Sequence, residues 1–162
     1  MFRTDMTLDR SNRIFTGIAT VILVVVVVVA QCSGHTHPLA LIGVVIALGL
    51  AWAMAPRALV VDDREVTIER RMWPALRFPR EDIASAAPVV TLGKRALRLW
   101  GVGGFFGSYG LFWSDTLGRF RLYGTRRGQA VIVVRKGSLL PVVVTPDDVA
   151  GAINAIDTRP VT

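Results

Sequence analysis

Residues 14–55 read IFTGIATVILVVVVVVAQCSGHTHPLALIGVVIALGLAWAMA, and no Asp, Glu, Lys or Arg occurs among them. Two apolar runs, Ile14–Ala30 and Pro38–Ala55, flank a polar gap from Gln31 to His37. At about 1.5 Å of rise per residue, each run as a helix approaches the roughly 30 Å of a bilayer's hydrocarbon core. β-Branched residues such as Val24–Val29 favour strands in water. Lipid leaves every backbone group to be satisfied within the segment, so helix is expected. The spacing predicts transmembrane helices over about 14–31 and 38–55, joined by a turn that allows only an antiparallel hairpin. Gly43 and Gly49, with Ala40, Ala47, Ala51 and Ala55, offer small positions for close approach of the partner helix. Trp52 near the end of the second run suits the headgroup region.

Charge sets the orientation. Arg3, Arg10 and Arg13 precede the first run, Arg57 follows the second, and the gap carries no Lys or Arg. The positive-inside rule then places both termini in the cytoplasm, as in a multi-pass protein of the inner (plasma) membrane. Lys and Arg number nineteen against twelve Asp and Glu. In a soluble protein that excess would suggest nucleic acid. Beside two apolar runs it points to anionic inner-leaflet headgroups instead, and no nucleic-acid partner is expected.

Val28-Val29-Ala30 has the small-residue pattern of a signal-peptidase site, and Val29-Ala30-Gln31-Cys32 loosely resembles a lipoprotein site. In the second, Gln31 stands where a small residue belongs, and either cleavage leaves an apolar run at the new N-terminus. An uncleaved hairpin is the favoured reading. Cys32 is the single cysteine and forms no internal disulfide; an intermolecular bridge and a homo-oligomer stay open. His35 and His37, even with Cys32, are too few ligands for a closed metal site and read as a polar turn. No metal or cofactor is expected.

Met1–Arg13 is short and mixed in charge, and is read as mobile or interfacial. After Pro56-Arg57 the texture changes to short stretches with turn signals. Ala58–Val61, the turn Asp62-Asp63 and the alternating Val66–Arg70 form a hairpin signature. Trp73-Pro74 breaks the chain before Leu76–Phe78, and Pro79–Ile83 reads as a turn opening a helical or bulged segment. Ala86–Leu92, Phe112-Trp113, Arg119–Tyr123, Ala130–Val134 and Leu139–Val144 are further strands. Thr145-Pro146-Asp147-Asp148 starts a helix, with Thr145 as cap and Val149, Ile153 and Ile156 on one stripe. The organisation is an anchor over 1–57, a mainly-β domain over 58–157 and a tail over 158–162. Six or seven short antiparallel strands closed by the helix make a small barrel or bent sandwich.

Three stretches carry a family resemblance. They are Phe78-Pro79-Arg80-Glu81-Asp82-Ile83, the glycine- and aromatic-rich Gly101–Gly110, and the helix start Val143–Asp148. Over about Ala58–Ile156 the chain resembles the bacterial pleckstrin-homology-like (PH-like) domain. The resemblance implies a bent, mainly-β barrel of about seven antiparallel strands with a C-terminal α-helix plugging one end. It also implies fusion to membrane helices and no assigned ligand. In this chain the first hairpin turn is Asp62-Asp63-Arg64-Glu65, whose acids would repel a phosphorylated inositol, so inositide recognition is not carried over.

Gly101, Gly103, Gly104, Gly107 and Gly110 do not make a phosphate loop, because no helix pattern and no Gly-Lys-Ser/Thr ending follow them. They read as a bent hairpin with bulges. The functional alternative is an aromatic loop, with Phe105, Phe106 and Tyr109, that dips into the interface or grips a peptide. Lys94, Arg95 and Arg98 precede this run, and Arg119, Arg121, Arg126 and Arg127 follow it. A hairpin would bring the two groups to one face, as solvated surface or as a patch for anionic lipid or an acidic partner. No serine has a base beside it and no acid pair sits in an apolar setting, so no enzyme is expected. The expected role is a non-enzymatic, membrane-anchored interaction module that binds a membrane protein or peptide. The alternatives are an anionic-lipid sensor and an accessory subunit of a transporter or enzyme complex.

Overall fold

The computed structural model describes residues 1–34, 38–89, 96–126, 128–138 and 140–157. The chain opens with strand β1 (Phe2–Asp5) and continues through helices α1 (Arg10–Cys32) and α2 (Pro38–Ala53). The strands that follow are β2 (Pro56–Val61), β3 (Glu65–Arg70), β4 (Leu76–Pro79) and, after a 3₁₀ turn at Arg80–Asp82, β5 (Ile83–Val89). Then come β6 (Leu97–Gly103), β7 (Ser108–Ser114), β8 (Gly118–Gly124), β9 (Ala130–Arg135) and β10 (Val142–Val144), and helix α3 (Val149–Asp157) ends the series.

With 23 residues, α1 is about 34 Å long and alone among the described helices is long and apolar enough to span a bilayer. With 16 residues α2 reaches only about 24 Å. It stops at Ala53, short of the expected end, because the chain turns there into β2. The amides of Met72 and Arg71 donate to the carbonyls of Ala53 and Ala55 at 3.0 and 3.1 Å, which satisfies acceptors a helix C-terminus leaves open. Along both helices the apolar side chains face outward; Val21, Val26 and Val29 on α1 and Val45 and Ile46 on α2 are all exposed.

Two sheets stand where one closed barrel of about seven antiparallel strands was expected. The first has the order β1-β2-β3-β4 and the second β5-β9-β10-β8-β7-β6. The N-terminal segment is a correction: Phe2–Asp5 is not a mobile end but a strand, paired antiparallel with Ala58–Val61. Inward-facing Thr4 is buried there, and Met6 joins the core. The pairing is not all antiparallel either. β10 slots between β9 and β8, antiparallel to the first and parallel to the second.

Leu59, Ile68 and Phe78 of the first sheet meet Tyr109, Tyr123, Val131 and Val144 of the second in one core. Helix α3 lies across β1, β2, β5 and β9 and so bridges the sheets, burying Ala152 and Ile156. The expected cap is corrected: Asp148 Oδ1 accepts the Gly151 amide at 2.8 Å and starts the helix. Thr145 Oγ1 is taken by the Thr125 amide at 2.8 Å. At the other end of α3, Arg80 donates to the carbonyls of Ala155 and, at 3.0 Å, Ile156. The Pro79–Ile83 stretch thus serves the helix C-terminus. A second cluster, with Phe112, Phe120, Leu122 and Val143, sits on the opposite face of the six-stranded sheet.

Candidate functional site

The glycine- and aromatic-rich run folds as the β6–β7 hairpin. Gly101 and Gly110 face each other across it at positive φ, and a Cβ on Gly110 would lie 2.8 Å from the Gly101 Cα and overlap the Trp100 carbonyl oxygen. Only glycine permits that approach. The turn at 104–107 rests on the first turns of α1. Thr16 Oγ1 donates to the Gly104 carbonyl at 2.9 Å and accepts the Phe106 amide at 3.2 Å. Phe105 meets Phe15 edge-on at 6.4 Å. One turn earlier, the buried Asn12 Nδ2 donates to the Thr125 carbonyl at 2.9 Å. Tyr109 donates its hydroxyl to the Ala51 carbonyl near the end of α2. Burial pushes its pKa up to about 12, against a smaller opposing pull from Arg70. The aromatic run therefore fastens both helices to the sheets.

The described basic residues, Arg98, Arg119, Arg121 and Arg126, do not all gather on one face. Arg98 pairs with Phe112, and the register Phe112↔Phe120 puts all three on the side of the second cluster. Arg119 and Arg121 pair with Trp113 and Leu111 on the other side. A bulge between Arg98 and Trp100 makes this split. Arg126 is held in the structure itself, by Asp147 at 3.0 Å and by the Thr7 hydroxyl at 2.6 Å. Lys94, Arg95 and Arg127 lie outside the described residues, as do His35 and His37. Among the described residues no cluster of His, Cys, Asp and Glu is placed to hold a metal.

Instead, the hairpin and β8 present two cross-strand rungs on one surface. Leu97, Trp113 and Arg119 form one, and Trp100, Leu111 and Arg121 the other. Trp100 is 79% exposed and Leu97 58%, on a strand that forms the edge of its sheet. An apolar strip ending in guanidinium groups along a free edge is suited to an extended peptide with acidic side chains. Beside it a groove of about 430 Å³ runs between Trp100, Tyr109, Tyr123, Arg70 and Met54. Arg70 lies over the Tyr123 ring at 5.7 Å. Sequence reading passed over Trp100, Trp113 and Arg70. Alternation could not have found the strip: Leu97 and Trp100 are an odd number of residues apart and share a face only because of the bulge between Arg98 and Trp100.

The bacterial PH domain family matches residues 57–159, more than half of the chain. No curated protein and no solved structure matches.

Proposed function

The chain belongs to the bacterial PH domain family, and from that premise we propose a non-enzymatic, membrane-anchored interaction module that binds a protein partner at the cytoplasmic membrane face. In this reading α1 and α2 form a transmembrane hairpin, and the two sheets act as one barrel-like unit pressed against the inner leaflet. One observation carries the proposal. The first turns of α1 and the last turn of α2 are bonded to the same β-domain, through Thr16, Asn12 and Tyr109, while the rest of each helix exposes apolar side chains. A chain that leaves through α1 must therefore return through α2, and no flexible linker separates domain from bilayer. The partner docks along β6 against Leu97, Trp100 and Trp113, with Arg119 and Arg121 selecting acidic side chains. Such tethering raises the effective concentration for partners in the same membrane.

Cys32, the single cysteine, is exposed at the far end of α1 and serves as a topology reporter. In intact cells a membrane-impermeant thiol reagent will label Cys32. In a Cys32→Ser background, Asp63→Cys will label only after lysis. The reverse pattern overturns the anchor. A photo-crosslinking residue at Trp100 will capture a discrete membrane protein in intact membranes, and Leu97→Ser with Trp113→Ser will abolish capture. Crosslinks to lipid alone would favour the lipid-sensing alternative.

A further inference from the structure

At the base of the helices, Arg13, Arg57 and Arg71 line a groove of about 440 Å³ together with Asp5 and the segment from Met6 to Leu8. A second groove of about 380 Å³ shares Arg57 and Arg71 and continues to Trp52. Arg13 lies in the second turn of α1, Arg57 at the start of β2 and Arg71 just past β3. The hairpin register Pro56↔Arg70 is what brings the last two together. Among the described residues none of the three guanidinium groups has an ion-pair partner. Arg71 lies over the Trp52 ring at 5.6 Å. By contrast, the far end of the same β2–β3 hairpin is the acidic turn Asp62-Asp63. The hairpin thus carries its positive end toward the helices and its negative end away from them.

We propose that this groove is a binding site for the headgroup of an anionic glycerophospholipid, distinct from the partner surface on β6–β8. The phosphate oxygens suit the planar forks of Arg57 and Arg71, which give two parallel N–H donors each. Three arginines against Asp5 leave a surplus of two positive charges. That surplus matches an anionic headgroup, whereas a choline or ethanolamine headgroup would bring its own cation among the guanidinium groups. A lipid is favoured over a soluble phosphate by what adjoins the groove. Exposed apolar surface begins at Ile14 and Phe15, directly after Arg13, and ends at Trp52. Acyl chains attached to a phosphate held here would lie along those helix faces, with the Trp52 ring at headgroup depth. The site rests on the membrane placement proposed above, since that placement brings headgroups to it.

The test uses the full chain, reconstituted in nanodiscs and extracted in mild detergent for native mass spectrometry. The wild type will retain phosphatidylglycerol in preference to phosphatidylcholine. Arg57→Gln and Arg71→Gln will each lower that retention about tenfold, the loss of one charge-assisted contact. Arg64→Gln, in the distant turn, will retain lipid as the wild type does. Arg57→Lys keeps the charge and loses the fork, and gives an intermediate value should the Gln variant fail to fold. Equal retention of the two lipids, or retention unchanged in both Gln variants, overturns the site. Displacement of the lipid by millimolar inorganic phosphate would make it a free-anion site instead. Release of the chain from membranes by alkaline carbonate overturns the anchor itself, a result separable from loss of lipid selectivity in a chain that stays integral.

Discussion

Thr16→Val tests whether the β-domain is bonded to α1 or merely adjacent to it. The substitution keeps a β-branched side chain inside the helix and removes one hydroxyl, which is 6% exposed as a residue and serves two bonds. Each such bond contributes about 0.5–1.5 kcal/mol net, and a stranded buried donor or acceptor costs about 1–3 kcal/mol. Loss of both bonds, with partial rehydration of the Gly104 carbonyl at the turn's edge, will raise the energy of the docked turn by about 2–3 kcal/mol. The Asn12–Thr125 bond remains, so α1 stays attached and only the turn at 104–107, with its Phe15–Phe105 contact, is loosened. At about 1.4 kcal/mol per factor of ten, the Phe106 amide will exchange roughly 30- to 150-fold faster. Hydrogen exchange on the full chain in nanodiscs reads this directly, with the Leu59 amide in the core as an unaffected control. Thr16→Ser restores the hydroxyl and will return exchange to near the wild-type rate. Exchange at Phe106 within threefold of wild type in Thr16→Val, or Thr16→Ser as fast as Thr16→Val, refutes the bonded junction.

Three further outcomes follow from the packing. Gly110→Ala forces a Cβ into the Trp100 carbonyl at φ +133, and will cost at least about 3 kcal/mol in chemical denaturation; Gly128→Ala, at the same φ but in open space, will cost only about 1–2 kcal/mol of backbone strain. Tyr109 holds its proton more tightly when folded, about 12 against an ordinary 10.0, so stability is whole below pH 10 and falls as pH rises toward 12. A pH titration of the melting temperature will show that decline, and Tyr109→Phe will flatten it. Phe120→Ala empties a fully buried position stacked on Phe112 at 6.1 Å and will cost about 3–5 kcal/mol by thermal denaturation; a loss under about 1 kcal/mol would mean the outer face of the sheet holds no second core.

The helices were legible because a long segment without charges has few alternatives. The turns at Asp62-Asp63 and Trp73-Pro74 and the apolar stripe of α3 carried local signals of equal strength. β1 was not legible. Four residues alternating Phe, Arg, Thr and Asp meet no length threshold for a strand, and their partner lies beyond both helices. In Thr145-Pro146-Asp147-Asp148 three side chains were able to cap a helix. The Thr125 amide claimed Thr145, and the Thr7 amide claimed Asp147 at 3.0 Å, which leaves Asp148 to start α3. Among the described basic residues strand parity sets Arg98 apart: one extra residue at the β6 bulge turns it away from Arg119 and Arg121. The closeness of Arg57 and Arg71 was only half legible: the hairpin turn alone would set residue 57 opposite Arg70, and the bulge between Pro56 and Ala58 moves Arg70 to face Pro56.

The position of β1 changes what the anchor is. The helices do not precede the β-domain; they interrupt it, leaving after Phe2–Asp5 and returning at Pro56 to pair with the same strand. A fragment beginning at Ala58 would lose β1, bare the edge of β2 and empty the place of Met6 in the core. The C-terminal helix is tied to the same segment. The Asp147 amide donates to the Asp5 carbonyl at 2.9 Å, and the Asp148 amide to the Thr4 hydroxyl at 3.1 Å. Strand, helix bases and α3 are thereby held in one bonded frame, so tilting the domain against the helices would break contacts at both Thr16 and Tyr109. A domain fixed in this way holds its exposed β6 edge at a set height and azimuth about the helix axes. That suits the module proposed above, which meets its partner within the same membrane.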